Sequence, residues 1–586
     1  MPARIDSAVQ ALYRTWLNNA DAAVKEQLVK SRPVSAFTEN VNLSHRLSKQ
    51  QRLRILDQAL ILLEMVYVHL PLKRAIHAID PIQRLRLLRF RLDQAKEGGI
   101  SETEFHREIQ ETFLSVRDVH TQYILPRPFR GNVAYLPFLV EEYYEKEYGE
   151  RKQKFLVSHV AEGFKHRSFE RDVQVLYWNG VPIKRAIEDN GQRQAGSNPE
   201  ARFARGLDAL TIRELKLSLP PDEEWVTVTY RTKRGLQCEI KLQWLVVPVR
   251  AGTEPQHRAL KPKRAIDNQK SAINQMRKIL YVPRVVELET WCERARKEKR
   301  RNGMVAQADS ALRTRLPSVF RAETKKRGKY GYIRIFTFDP DLDSVGADEI
   351  VDEFRRLILQ LPQNGLIIDV RGNSGGMINA GERLLQMFTP HQIKPELFEF
   401  INTPLTLRIS LAAPKDEEMA RFARSIREAV VTSATYSAGF PLTSEEECNA
   451  IGQIYFGPVV LITDAMCYSA TDIFTAGFQD NRSGVVLGTS GNTGAGGAEV
   501  VEHKDLKHWL RKDSKSPFGA LPKGSGLSVA IRRSLRVGNR SGRPLEELGI
   551  ISEQRHYMTK RDLLDNRDLI DRAVRILVSM TARREQ

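Results

Sequence analysis

Two serines in this chain stand where serine chemistry is done, each at the junction of an apolar run and a glycine-rich or helix-opening turn. The first lies in LIIDVRGNSGG, where Gly372-Asn373-Ser374-Gly375-Gly376 fits G-x-S-x-G, the pattern of a strained strand-to-helix turn that presents a nucleophile. The second lies in GPVVLITDAMCYSATDIFTAGFQDN, where Ser469 heads a helical segment and Asp472 completes an S-x-x-D capping pattern. A serine at a helix N-terminus sits beside unpaired backbone N–H groups and the positive end of the helix dipole, donors able to hold the oxyanion of acyl transfer. Glycines at 372, 375 and 376 can equally make the first loop a platform of such donors for a neighbouring nucleophile. Spacing alone leaves both readings open, and leaves open that Ser469 only caps its helix. A serine hydroxyl also needs an adjacent base.

The elements that must carry these loops are legible as texture. Residues 1 to about 125 read as helical: QQRLRILDQALILLEMVYVHL places Leu53, Leu56, Ala59, Leu60 and Leu63 near a 3.6-residue period, and Ser101 with Glu104 predicts a capping box. From about 131 to 250 the runs AYLPFLVEEYY, KFLVSHV, VQVLYWNG and WVTVTYRTKRGLQCEIKLQWLVV predict strands, the last with a hairpin at its KRG turn. Beyond 330, YGYIRIFTF, ADEIVDEFRRLILQL, GLIIDV, AGERLLQMF, GPVVLIT, ATDIFTAGFQ and SGVVLG alternate strand and helix, as in a largely parallel sheet covered by helices.

Composition narrows the classes. At 586 residues the chain needs several cores, and its 41% hydrophobic content is that of a globular protein. The longest apolar runs are shorter than a bilayer span and carry charge, so no membrane anchor is expected. The N-terminal residues lack the apolar core of a signal peptide, which predicts a cytoplasmic protein. Cys238, Cys292, Cys448 and Cys467 are scattered without a C-x-x-C pair, so neither a disulfide framework nor a zinc site is expected. The net charge of +19 is concentrated between 250 and 330, about +14 by residue count, densest in CERARKEKRRNG. We read this segment as a solvated helical linker, since no zinc-finger spacing or aromatic-basic RNA motif accompanies it.

Taken together, LIIDVRGNSGG and GPVVLITDAMCYSATDIFTAGFQDNRSGVVLG resemble the core of the tail-specific (C-terminal processing) and tricorn-type serine peptidases. The resemblance implies that Ser469 is the nucleophile, that the Ala470 N–H and that of Gly375 or Gly376 form the oxyanion hole, and that Ser374 is a platform residue. The Ser-Lys branch carries its lysine in a T-F-G-K-G loop; the corresponding GTSGNTGAGGAEV has none, and no lysine stands between Ser469 and Lys504. Instead, Asp118-Val119-His120-Thr121 resembles the histidine motif of the tricorn-type branch, which implies His120 as the base, a role suited to an imidazole titrating near neutrality. RPLEELGII resembles that branch's glutamate motif loosely and implies Glu546 as third member, with Glu547 its rival. Asp118 is expected to brace the turn and Asp480 to be structural.

DVQVLYWNGVPIKRAI, Asp172 to Ile187, resembles a PDZ stretch with Arg171 in place of the usual glycine. The expected fold is therefore multidomain α/β: an N-terminal helical domain over 1–130, a PDZ-like β-rich domain over 131–250, a basic helical linker over 251–330, and an α/β core of ClpP/crotonase-like type over 331–586. The expected function is serine endopeptidase without metal or organic cofactor, acting on a protein or peptide substrate, with oligomerisation left open and no nucleic acid expected. The rivals are a non-catalytic peptide- or lipid-binding scaffold or carrier of the same fold, and a nucleic-acid-associated protein working through the basic segment.

Overall fold

The computed structural model describes residues 7–44, 46–95, 99–249, 276–277, 280–281, 311–340, 345–412 and 417–584. Most of the basic segment, and Cys292 within it, lies outside the described residues. The N-terminal part is helical, with helices at Ser7–Asn19, Ala22–Lys30, Val34–Ser44, Lys49–Met65, Leu70–His77, Pro81–Gln94 and Glu102–Ser115. Their starts follow from capping chemistry. Ser48 and Gln51 close a reciprocal capping box, Asp80 accepts from the Gln83 N–H ahead of Pro81, and Ser101 Oγ accepts from the Glu104 N–H at 3.1 Å. Ile55, Leu56, Ala59, Leu62 and Leu63 form the buried stripe of the fourth helix. Among the described residues no single helix is long and apolar enough to cross a membrane.

The β-rich part holds a six-stranded sheet ordered Gln237–Gln243, Trp225–Arg231, Gln174–Trp178, Glu150–Val160, Phe138–Glu147, with Val181–Pro182 on the side, and a four-stranded one ordered Arg32–Pro33, Leu245–Pro248, Asn132–Tyr135, Ile212–Glu214. The first two strands of the larger sheet are the antiparallel pair expected around KRG, where Gly235 takes φ +85° to make the turn. Helices Ile183–Gly191 and Pro199–Asp208 follow.

The C-terminal part holds a seven-stranded sheet ordered Ala311–Leu312, Phe320–Lys325, Tyr330–Ile335, Leu366–Asp369, Val459–Thr463, Val485–Gly488, Gln554–Arg555. The pairings from Tyr330–Ile335 onward are parallel, as the strand-helix alternation predicts. Both faces of this sheet are covered, which is why its central strands Leu366–Asp369, Val459–Thr463 and Val485–Gly488 read as near-continuous apolar runs rather than alternating. Ile367, Val460, Ile462 and Leu487 pack toward Leu569, Ala573 and Leu577 of helix Arg567–Arg584. Ile333, Ile368, Val459 and Leu461 share the opposite core with Phe354, Phe474 and Phe478.

A second sheet decides where the site forms. Its order is Phe440–Pro441, Leu397–Phe400, Gly526–Leu535, Gln122–Ile124, with Ala498–Glu502 also on Gly526–Leu535. Gln122–Ile124, which directly follows Asp118-Val119-His120-Thr121, is thus a strand of a C-terminal sheet, with Gln122 opposite Ser528. Ala530 ties it further: its N–H donates to Thr121 Oγ1 at 3.1 Å and its carbonyl accepts the Val68 N–H.

Candidate active site

Strand Val459–Thr463 ends at a turn that delivers Ser469 to the head of helix Ala470–Asp480. Ser469 has φ 57° and ψ −126°, a conformation rarely adopted by a non-glycine residue and costing on the order of 1–3 kcal/mol. The expected S-x-x-D cap does not form there. The side chain of Ser469 makes no capping bond, because this backbone angle departs from the extended one seen at Ser48 and Ser101. Asp472 instead accepts the Gly496 N–H at 2.8 Å. Burial pushes the Asp472 carboxyl up to about 7, against hydrogen bonds that favour its ionised form. The strained turn of an exposed-nucleophile elbow is therefore found at Ser469, which is only 5% exposed and whose N–H donates to the Gly496 carbonyl at 3.1 Å.

The loop of Ser374 lies directly beside it. Gly375 has φ +103°, and a Cβ there would fall 2.6 Å from Ser469 Cβ, 2.7 Å from the Tyr468 carbonyl oxygen and 2.8 Å from Ala470 N. Only a glycine lets the two backbones approach this closely. Asn373 fastens the contact: its carbonyl accepts the Tyr468 N–H, and its Oδ1 accepts the Gly375 N–H at 2.9 Å. Gly376, with φ +139°, forms a bridge with Phe338. Behind the loop, the buried Asp369 carboxylate is held well below its ordinary range: burial opposes ionisation, but the guanidiniums of Arg334 and Arg371 outweigh it. Asp480, away from this loop, is bound by Arg536 and Arg540, the structural role expected of it.

His120 arrives from the other end of the sequence. Its imidazole is fully buried, the backbone N–H of His120 donates to Asp118 Oδ1 at 2.8 Å, and the ring Nδ1 lies 3.8 Å from the same oxygen. Asp118 Oδ2 accepts Thr121 Oγ1 at 3.0 Å, so this carboxylate braces the turn. The ring packs on Gly496: a Cβ on that glycine would stand 3.0 Å from His120 Cε1. Gly496 therefore touches both candidates, taking the Ser469 N–H on its carbonyl and the His120 ring on its Cα. It belongs to the loop that lacks the lysine of the Ser-Lys branch.

Glu546 is buried beside Asp118, and so is a group that the sequence reading missed. Lys73 Nζ, wholly buried, lies 2.5 Å from Glu546 Oε1 and 2.5 Å from Glu547 Oε1. Ser197 Oγ, from the segment before helix Pro199–Asp208, donates to Glu546 Oε1 at 2.6 Å and lies 3.0 Å from the Ala495 carbonyl. Burial, with Asp118 adding to it, pushes the Glu546 carboxyl up to about 8, while Lys73 and Ser197 act to lower it. Burial likewise drives His69 down to about 3, leaving a neutral imidazole. The one signal for these residues is the i, i+4, i+8 spacing of His69, Lys73 and His77, which lines them on one helical face. His69, Asp118 and Glu546 bring ligand atoms within 4.8 Å of one another, but the Lys73 ammonium already supplies positive charge there and opposes a divalent cation.

The remaining segment contacts are just as specific. Asn198 Nδ2 donates to the Thr493 carbonyl at 2.7 Å, and Glu200 accepts the N–H groups of Gly491 and Asn492. The β-rich part thus grips the Gly491–Gly496 loop. A separate cleft of about 400 Å³ opens between it and the parallel sheet, lined by Glu142, Arg321, Arg334, Arg371 and Asp464 among others.

Residues 329–551 match the model of peptidase family S41, and residues 132–250 match that of a PDZ domain. Among solved structures, that of mature CPAF complexed with lactacystin superimposes with a TM-score of 0.61 at 17% identity, covering 91% of this chain and 98% of that one. The crystal structure of mature CPAF gives 0.61 at 16% identity, covering 89% and 96%. No curated protein matches the sequence. At such identities the likeness speaks for the fold, and the family matches speak for the catalytic and binding parts. Residues 132–250 are a PDZ domain, residues 329–551 are a peptidase family S41 domain, and the chain is a serine peptidase.

Proposed function

We propose that the chain is an endopeptidase that cleaves peptide bonds through an acyl-enzyme, with Ser469 as nucleophile and His120 as base. Ser469 Oγ attacks the scissile carbonyl and His120 takes its proton. The oxyanion of the tetrahedral intermediate is held by the Ala470 N–H and the Gly375–Gly376 backbone, where the Gly375 N–H must first leave Asn373 Oδ1. Collapse expels the amine, which receives the proton from His120. Water, deprotonated by the same imidazole, then hydrolyses the ester and frees Ser469. Glu546, held by Lys73 and Ser197, acts behind this pair as the third member, orienting the imidazole once its carboxyl is ionised. The PDZ domain supplies an extended substrate by adding it to a strand edge.

The observation that carries the reading is Gly496, on which the Ser469 amide and the His120 ring converge from distant parts of the chain. The test is labelling by a fluorophosphonate probe alongside peptide turnover. Ser469→Ala is expected to abolish both and His120→Ala to abolish turnover with the fold intact, whereas Ser374→Ala keeps measurable activity. Reversed effects of the two serine variants would place the nucleophile at Ser374 instead.

A further inference from the structure

We propose that Lys73 is a positioning residue of this site: from the N-terminal helices, its ammonium fixes and neutralises the Glu546–Glu547 pair behind His120. The inference rests on the Ser469–His120 reading and adds to it a requirement for a residue outside both matched domains.

A lysine with no solvent exposure is rare, because its charge must be fully compensated. Lys73 has three N–H donors and three acceptors: Glu546 Oε1 at 2.5 Å, Glu547 Oε1 at 2.5 Å and the Arg117 carbonyl at 3.3 Å. The last acceptor immediately precedes Asp118. One ammonium therefore ties the loop of Glu546 to the turn that carries His120. Its neighbour on the same helical face, His77, sends Nε2 to Glu547 Oε1 at 2.7 Å, and Glu547 itself is held at φ 69°. The pair is pinned from one helix.

The charges facing this point explain why a cation stands there. Asp118, Glu546 and Glu547 bring three carboxyl groups together; around them stand the imidazoles of His69, His77 and His120 and the hydroxyls of Tyr67, Thr121 and Ser197, with Arg117 and Arg202 on the Glu547 side and Arg533 on the His69 side. Lys73 is the cation bonded to both glutamates. The carboxylates also hold its proton, since their attraction outweighs the desolvation of the ammonium. Lys73 is therefore not a substitute for the lysine base of the Ser-Lys branch. With all three N–H groups donated and the proton retained, it has no lone pair to accept the serine proton. Its effect passes through Glu546, whose carboxyl is already raised by burial and would rise further without the ammonium.

The experiment uses the full chain and compares Lys73→Met, Lys73→Arg, Glu546→Gln and the Lys73→Met/Glu546→Gln double variant. Thermal melts accompany turnover of a quenched-fluorescence peptide between pH 5 and 10. Lys73→Met is expected to lower kcat at neutral pH by about tenfold or more with little change in KM. The acidic limb of kcat/KM should move up by about one pH unit or more, each unit being a tenfold change in the ionised fraction. Lys73→Arg, which keeps the charge, should retain the wild-type profile, and the double variant should be no worse than Glu546→Gln. If Lys73→Met fails to fold, Lys73→Met/Glu547→Gln restores the net charge of the cluster and carries the same expectation. A wild-type pH profile in a folded Lys73→Met, or losses that multiply with those of Glu546→Gln, would overturn the proposal. A wild type that the fluorophosphonate does not label at Ser469 would instead bring down the peptidase mechanism on which it rests.

Discussion

Gly375→Ala tests whether the close approach of the two loops is catalytic. At φ +103° an alanine is strained by about 1–3 kcal/mol. Its methyl would also lie 2.6–2.8 Å from Ser469 Cβ, the Tyr468 carbonyl oxygen and Ala470 N, where carbon contacts need about 3.5 Å or more. Two of these atoms are backbone, so a rotamer change gives no relief; the loop and the helix N-terminus must separate by about 1 Å. Overpacking of this kind costs a further 1–3 kcal/mol or so, giving a total loss of about 2–6 kcal/mol in urea unfolding. A displacement of 1 Å costs about 100-fold in rate, and loss of one oxyanion donor about 100–1000-fold. We expect kcat for a fluorogenic peptide to fall by at least about 100-fold in protein that still melts cooperatively. Gly372→Ala is the control: at φ +64° a Cβ there meets nothing within 4 Å, so it should cost about 1 kcal/mol and leave kcat within about threefold. A Gly375→Ala enzyme within tenfold of wild type, or equal losses from the two variants, would refute the reasoning.

Other outcomes follow from the same geometry. Gly496→Val should slow turnover strongly, because its side chain invades the space of the His120 ring as well as that of Tyr468 and Val119; unchanged kcat would separate that ring from the chemistry. The Asp472 carboxyl, pushed up to about 7 from an ordinary 3.8, keeps its proton in the folded state where the unfolded chain has lost it. The stability it contributes at pH 4 is therefore withdrawn as pH rises through 7, by at most about 4 kcal/mol, and Asp472→Asn should flatten the fall of the melting temperature between pH 4 and 7. Parallel curves for wild type and variant would contradict this. Asp369→Asn should cost about 3 kcal/mol or more in urea unfolding, because the Arg334 and Arg371 guanidiniums keep their charges and lose their counterion. A neutral effect would mean the pair is not the support of the Gly372–Gly376 loop.

Much of the fold was legible because its signals are local. Apolar runs of strand length, the helix cap at Ser101 and the hairpin at KRG report backbone conformation through neighbouring sterics and hydrogen bonds, and each appears where the pattern placed it. The two glycine- and serine-bearing turns were equally visible, but not which of them strains its serine. That depends on the φ of Ser469, set by the bonds of the Tyr468 N–H to Asn373 and of the Ser469 N–H to Gly496, both distant in the chain. The S-x-x-D spacing also suggested a cap that does not form, since the Ser469 side chain makes none and Asp472 accepts the Gly496 N–H.

By itself the sequence determined the backbone habits of each segment and offered residue types able to do acyl chemistry: Ser374 and Ser469 on their turns, with His120 and Glu546 added by the family resemblance. Tertiary structure decided who meets whom. His120 reaches Gly496 because Gln122–Ile124 pairs in register with Gly526–Leu535, and strand register between distant segments is carried by burial of whole faces, not by any local spacing. Lys73 and Ser197 were missed for a related reason: a lysine on a helix reads as solvated until the fold buries it, and only then does its charge require the carboxylates that surround it.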